Sequence, residues 1–108
     1  MTLNEYQKLA MRTINTELDA SETLLNGCMG ICGEAGELID TLKKHRAQGH
    51  TLDAAHMLDE LGDVMWYVAE VAYALGVDLD DVGKHNIAKL SKRYPEGFSV
   101  ERSINRED

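Results

Sequence analysis

Proline, cysteine and the larger aromatic residues are scarce in this chain. Among 108 residues there are one proline, two cysteines, one tryptophan and one phenylalanine. Two cysteines do not make a disulfide framework, and the scarcity of β-branched residues argues against an all-β fold. Basic residues are also few, since 11 face 19 acids and the formal charge is −8. That charge disfavours nucleic-acid binding, because phosphate neutralisation needs a basic surface.

Long apolar runs are absent as well. The longest, residues 64–77, is interrupted by Glu70 and is too short to cross a bilayer. Polar residues interrupt the first apolar positions at once, so no signal peptide is predicted. We therefore expect a cytoplasmic protein without a membrane partner. The 44% of hydrophobic residues suffices for the core of one domain.

Apolar residues recur at helical spacing in four segments, which predict helices over residues 3–18, 21–46, 52–75 and 79 to 93 or 94. The second and third carry apolar seams with alternating steps of four and three residues, typical of helices that pack on partner helices. The sequence predicts one all-α domain over residues 1–98, a bundle of four to five helices with two long antiparallel central ones. Residues 99–108 are expected to form a loose polar tail.

Start and stop residues accompany these segments. Thr2 and Glu5 have the spacing of a capping box at the first helix. Thr51 and Asp78 are expected to cap the third and fourth helices. Gly76 is expected to end the third helix, and Pro95 limits the fourth.

Four carboxylates form two pairs spaced three residues apart, Glu34 with Glu37 and Glu60 with Asp63. Each pair lies on one helix face, and none of the four has a Lys or Arg four residues later to form an ordinary ion pair. Antiparallel packing of the two helices would bring the four together, where like charges repel. A divalent cation would resolve that repulsion, and an all-oxygen ligand set favours Mg²⁺ or Mn²⁺. The alternative is that both pairs lie on solvated faces of an acidic protein.

Glycine recurs every third residue in the second helix, at Gly27, Gly30, Gly33 and Gly36. Each costs roughly 1 kcal/mol relative to alanine inside a helix. Close approach of another helix, or of a ligand beside Glu34, would offset this cost. The alternative is a break in the helix between residues 27 and 30.

Two motifs carry a family resemblance. Gly33-Glu34-Ala35-Gly36-Glu37-Leu38 is followed after 20 intervening residues by Asp59-Glu60-Leu61-Gly62-Asp63-Val64, and the segment from Asn86 to Pro95 follows. From about residue 20 to residue 98 the chain resembles the MazG-like nucleoside triphosphate pyrophosphohydrolases. One departure is Gly33, where many members carry a glutamate, so the number of metal ions stays open.

The resemblance implies Mg²⁺-dependent cleavage of a nucleoside triphosphate between the α and β phosphates, in subunits that pair as homodimers or homotetramers. Glu34, Glu37, Glu60 and Asp63 would hold the metal, and Glu34 or Glu37 would take a proton from water. Two alternatives are a phosphoribosyl-ATP pyrophosphohydrolase, which the Lys-Arg-Tyr-Pro-Glu-Gly-Phe segment disfavours, and a non-catalytic helical dimerisation or metal-binding module.

Four further residues are candidate substrate contacts. Asn86, Lys89 and Arg93 share one face of the fourth helix, where they would bind phosphate and sugar. The alternative is that the two cations stabilise the helix C-terminus. Tyr67 would stack on a base or pack in the core, whereas Trp66 is expected in the core. Cys28 and Cys32 are expected to be buried.

Overall fold

The computed structural model describes residues 1–106. They form five α-helices and no β-strand: α1 Leu3–Ala10, α2 Ala20–Ala47, α3 Ala54–Ala74, α4 Leu79–Arg93 and α5 Val100–Ile104. The long helices α2 and α3 pack side by side and make most of the tertiary contacts, while α1 and α4 pack on α3 and on each other. The predicted all-α fold with two long central helices is confirmed. No helix in residues 1–106 has the length and apolar content that a membrane crossing requires.

The first helix is shorter than its periodicity predicted. Thr2 Oγ1 accepts a hydrogen bond from the Glu5 amide, as expected of the cap. However, α1 ends at Ala10 and gives way to a 3₁₀ turn, Met11–Thr13, so the prediction of a helix to residue 18 was wrong. The Ala10 carbonyl accepts bonds from the Thr13 hydroxyl (2.7 Å) and the Trp66 indole (3.1 Å). These donors replace the amides of a further helical turn.

Helix α2 is continuous, which excludes the break considered between residues 27 and 30. It opens with a complete capping box, in which Asp19 accepts from the Glu22 amide and Glu22 accepts from the Asp19 amide. Residues 27–36 therefore lie on one uninterrupted helix despite their four glycines.

The predicted cap Thr51 was wrong, and Asp78 has the predicted N-cap position without a capping bond. Asp53, and not Thr51, caps α3 by accepting a bond from the His56 amide. Asp78 precedes α4, but its side chain makes no capping bond. Side chains of α1 do this instead, because Gln7 Oε1 accepts from the Leu79 amide at 2.9 Å and Asn4 Oδ1 from the Asp80 amide at 2.8 Å. These bonds fasten α1 to the start of α4.

Both predicted helix ends are confirmed. Gly76 has a φ of +72° after the last turn of α3, and the Val77 amide donates to the Ala72 carbonyl at 2.9 Å, a pattern that glycine favours. Helix α4 ends at Arg93, just before Pro95.

The C-terminal segment is more ordered than the expected loose tail. Residues 100–104 form α5, and Ser99 Oγ accepts a bond from the Arg102 amide at its start. Residues 107–108, also part of the predicted tail, lie outside the described residues.

The buried core is small. It consists of Ala69, Ala72 and Leu79, with Tyr6, Met11 and Val68 packed against it. Helices α1 and α4 cover the C-terminal half of α3, but the apolar stripe continues uncovered along its N-terminal half. The exposed apolar residues of the two central helices include Leu25, Met29, Ile39, Leu58, Leu61 and Met65. Cys28 and Cys32 are exposed as well, contrary to expectation.

Candidate metal centre

Three of the four predicted metal ligands meet between α2 and α3. One carboxylate oxygen from each of Glu34, Glu37 and Glu60 lies within 4.8 Å of the others; we call these three residues the carboxylate cluster. The three carboxylate oxygens lie this close together because residues 34 and 37 are one turn apart on α2 and Glu60 faces them from α3. The arrangement offers only oxygen ligands, as Mg²⁺ and Mn²⁺ prefer.

Glu60 is the buried member of the cluster, with 5% of its surface exposed. Its Oε1 lies 3.2 Å from Nε2 of His56, one turn earlier on α3. Its Oε2 is buried and has no hydrogen-bond partner among the described residues. A buried carboxylate oxygen without a partner is costly, and a bound cation would satisfy it. The residues therefore fit a divalent metal ion.

The electrostatics of Glu34 reflect this crowding. The pKa of the Glu34 carboxyl is raised above 4.5, mainly by a hydrogen bond to the Glu60 carboxyl, and further by burial and by the charges of Glu60 and Asp63. Two carboxylates that share a site favour a proton between them. A cation would supply positive charge in place of that proton.

Asp63, the fourth predicted ligand, is not one of the three residues whose carboxylate oxygens converge. Together with Glu34, Trp66 and Tyr67, it lines an open cleft beside the carboxylate cluster; we call this cleft the aromatic cleft. The Trp66 indole donates to Ala10 O and, at 2.8 Å, to Thr13 Oγ1. The rings of Trp66 and Tyr67 meet edge to face, with centroids 5.2 Å apart. Trp66 is thus half-buried and anchored to the 3₁₀ turn, and it is not a core residue.

The four glycines of α2 divide into two kinds. A Cβ atom at Gly27 would overlap Val71, and one at Gly30 would overlap the Tyr67 ring, so both allow close approach of α3. A Cβ atom at Gly33 or Gly36 would meet no atom of the described residues within 4 Å. The expected close approach therefore accounts for the first two glycines only.

The three candidate substrate contacts on α4 lie outside the carboxylate cluster. Asn86 and Lys89 are exposed and Arg93 is half-buried. Asn86 lines a groove beside Leu3 of α1. Arg93 lines a cleft between α4 and α5, with Arg102 and Arg106 among its other residues. None of the three lines the aromatic cleft.

Sequence reasoning missed two residues close to the site, His56 and Tyr6, and one contact further along the two helices, between Asn26 and Glu70. His56 could have been found, because it lies four residues before Glu60 on the same helix face. Tyr6 of α1 has a pKa raised by burial and by the Asp63 charge, so it lies near that acid. Asn26 donates to both oxygens of the fully buried Glu70, at 2.9 and 3.2 Å. These two contacts depend on tertiary packing, which no local pattern encodes.

The fold and the site together define a helical domain that carries an acidic, metal-compatible centre on two antiparallel helices. Residues 22–98 match the family model of the MazG nucleotide pyrophosphohydrolase domain. The chain therefore belongs to the MazG family. It is also 40% identical over 94 residues to the Gene 37 protein of Mycobacterium phage L5, an alignment that covers 83% of this chain and 82% of the phage protein. No solved structure matches.

Proposed function

We propose that this protein is a Mg²⁺-dependent nucleoside triphosphate pyrophosphohydrolase, which cleaves (d)NTPs between the α and β phosphates into a monophosphate and pyrophosphate. The observation that carries the proposal is the convergence of Glu34, Glu37 and Glu60, with one buried oxygen of Glu60 lacking a partner. Membership of the MazG family supports the reaction class.

In this mechanism Glu34, Glu37, Glu60 and Asp63 would hold Mg²⁺, for which Mn²⁺ could substitute. The bound ion supplies positive charge that offsets the charge of the phosphates. Glu34 or Glu37 accepts a proton from the attacking water, since both are less buried than Glu60. Glu60 is held by its position between α2 and α3, which suits a fixed ligand better than a proton carrier.

The remaining contacts are assigned to the nucleoside and to the phosphates. Tyr67 borders the aromatic cleft beside Glu34 and Asp63, so its ring can pack against a base or sugar. Asn86, Lys89 and Arg93 supply an amide and two cations for sugar and phosphate. On this assignment, Lys89→Ala should raise KM for the nucleotide more than it lowers kcat.

We also propose that the protein is a homodimer or homotetramer. Its surface area is 8040 Å², whereas a 12.0 kDa monomer is expected to expose about 6,000 Å². The radius of gyration is 16.9 Å, against about 13 Å for a compact chain of this length. The excess of about 2,000 Å² per chain is larger than the roughly 800 Å² that each partner buries in a standard interface. Light scattering that finds a monomer at micromolar concentration would contradict this proposal.

The catalytic proposal is tested with a panel of NTPs and dNTPs, Mg²⁺ and a pyrophosphate assay. Removing one cluster carboxylate with Glu37→Gln should lower turnover about 100-fold or more. Asp59→Asn is the matched control, because Asp59 is an exposed acid on α3 outside the cluster. It should leave turnover near that of the parent.

Three results would count against the proposal. Equal activity in the Glu37→Gln and Asp59→Asn variants would remove the cluster from the chemistry. Release of orthophosphate as the first product would contradict cleavage between the α and β phosphates. Absence of turnover with every nucleotide, although Mg²⁺ binds, would favour the non-catalytic metal-binding module, whereas selective hydrolysis of phosphoribosyl-ATP would favour the alternative substrate.

A further inference from the structure

Glu70 is a fully buried carboxylate that the proposed chemistry does not use. It lies on α3 with none of its surface exposed, and Asn26 Nδ2 of α2 donates to both of its oxygens, at 2.9 and 3.2 Å. Burying a carboxylate is expensive unless it is hydrogen-bonded. A polar pair across a helix interface tolerates few alternative alignments, because slippage would leave the carboxylate without its donor.

The same pair belongs to an ordered series of contacts along the two helices. Moving up α2, Gly27 lies against Val71 and Glu70, and Gly30 lies against the Tyr67 ring. Glu34 then shares the aromatic cleft with Asp63, and Glu37 joins Glu60 in the cluster. Each step of three or four residues toward the C-terminus of α2 corresponds to a step of similar length toward the N-terminus of α3. One antiparallel register therefore accounts for both the Asn26–Glu70 pair and the carboxylate cluster.

We propose that Asn26 and Glu70 are positioning residues for the metal centre: the hydrogen-bonded pair of the Asn26 amide and the buried Glu70 carboxylate sets the α2–α3 register that brings Glu34 and Glu37 to Glu60. Gly27 and Gly30 contribute by letting the helices approach closely between the pair and the cluster. The inference rests on the proposed metal binding for its function, and on the contacts above for its geometry.

The test compares Asn26→Asp with the swapped pair Asn26→Asp/Glu70→Gln. The single change sets two carboxylates against each other at the interface, which should shift or separate the helices. It should weaken Mn²⁺ binding about 10-fold or more, measured by titration calorimetry and by the electron paramagnetic resonance of free Mn²⁺. The swapped pair restores one amide and one carboxylate, and it should recover most of the affinity.

Leu79→Ala is the matched control for loss of stability. Leu79, the first residue of α4, is buried in the core and lies outside the α2–α3 contact series. This variant should lower the melting temperature and leave the Mn²⁺ affinity of the folded protein unchanged. If Asn26→Asp behaves in the same way, or if the swapped pair fails to recover affinity, the pair is merely structural and the inference is wrong.

A metal-free measurement separates this inference from the proposed function. Nuclear Overhauser effects between the Gly30 α protons and the Tyr67 ring report the register directly. They should be strong in the parent, weakened in Asn26→Asp and restored in the swapped pair. A parent that binds no Mn²⁺ would overturn the metal centre alone, whereas unchanged Overhauser effects in Asn26→Asp would overturn the register role. If Asn26→Asp does not fold, Asn26→Ser, which shortens the donor, serves in both measurements.

Discussion

Replacing Gly30 by alanine tests the close approach of α2 and α3 beside the carboxylate cluster. Alanine gains about 1 kcal/mol over glycine in a helix interior. At Gly30, however, the new Cβ would overlap the ring of Tyr67. Overpacking of this kind costs about 1–3 kcal/mol, and a packed aromatic ring yields less easily than the end of a flexible chain. We expect the overpacking cost to lie near the upper end of that range, about 3 kcal/mol. Subtracting the gain of about 1 kcal/mol in helix propensity leaves a net destabilisation of about 2 kcal/mol.

Gly33→Ala is the matched control, one turn further along the same helix. A Cβ there meets nothing within 4 Å, so only the helix propensity changes and the protein should gain about 1 kcal/mol. The two substitutions are chemically identical but should differ by about 3 kcal/mol. At roughly 4 °C per kcal/mol for a domain of this size, their melting temperatures should differ by about 12 °C.

The assay is thermal unfolding followed by far-ultraviolet circular dichroism, at one protein concentration for all variants. A Gly30→Ala protein as stable as Gly33→Ala would refute the packing argument. The double variant Gly30→Ala/Tyr67→Ala isolates the contact, because the cost of the new methyl group should largely vanish once the ring is gone. A cost that persists without the ring would assign the effect to another neighbour.

Two further predictions concern the carboxylate cluster. Glu60→Gln removes one of the crowded charges, so the metal-free variant should melt no lower than the metal-free parent. Mg²⁺ should raise the melting temperature of the parent only. A variant that melts several degrees lower without metal would assign Glu60 a structural role. Because the hydrogen bond to Glu60 raises the pKa of Glu34 above 4.5, the native state binds more protons there than the unfolded state. This group should therefore make the metal-free protein less stable as pH rises from about 4.5 through the raised pKa, and saturating Mg²⁺ should reduce that loss; denaturant titrations from pH 4 to 7 measure both slopes.

The convergence of the cluster carboxylates could be predicted from the sequence because helices have a fixed period. Residues three apart on one helix share a face whatever the fold, so Glu34 and Glu37 were placed together by spacing alone. The apolar seams then indicated which faces of α2 and α3 meet, and this orientation brings Glu60 to the cluster. The glycine repeat predicted close approach of another helix or of a ligand. The approach of a helix is confirmed at Gly30, which faces α3, but not at Gly33, which does not.

What the sequence did not reveal depends on contacts between distant segments. The apolar residues of the sequence keep a helical period beyond Ala10. Helix α1 nevertheless ends at Ala10, where the carbonyl accepts hydrogen bonds from Thr13 and Trp66. The cap of α4 comes from Gln7, more than 70 residues away. The Asn26–Glu70 pair required the α2–α3 register, which periodicity leaves free to slide by a whole turn.

The central claim is that the cluster of Glu34, Glu37 and Glu60 supports metal-dependent cleavage of a nucleotide between its α and β phosphates. Phosphorus-31 NMR of a nucleoside triphosphate incubated with the protein and Mg²⁺ tests it most directly. The claim predicts a monophosphate resonance and a pyrophosphate resonance that grow together, and neither when chelator is present or Glu37 is replaced by Gln. Diphosphate and orthophosphate as the first products, or turnover that survives the chelator, would contradict it.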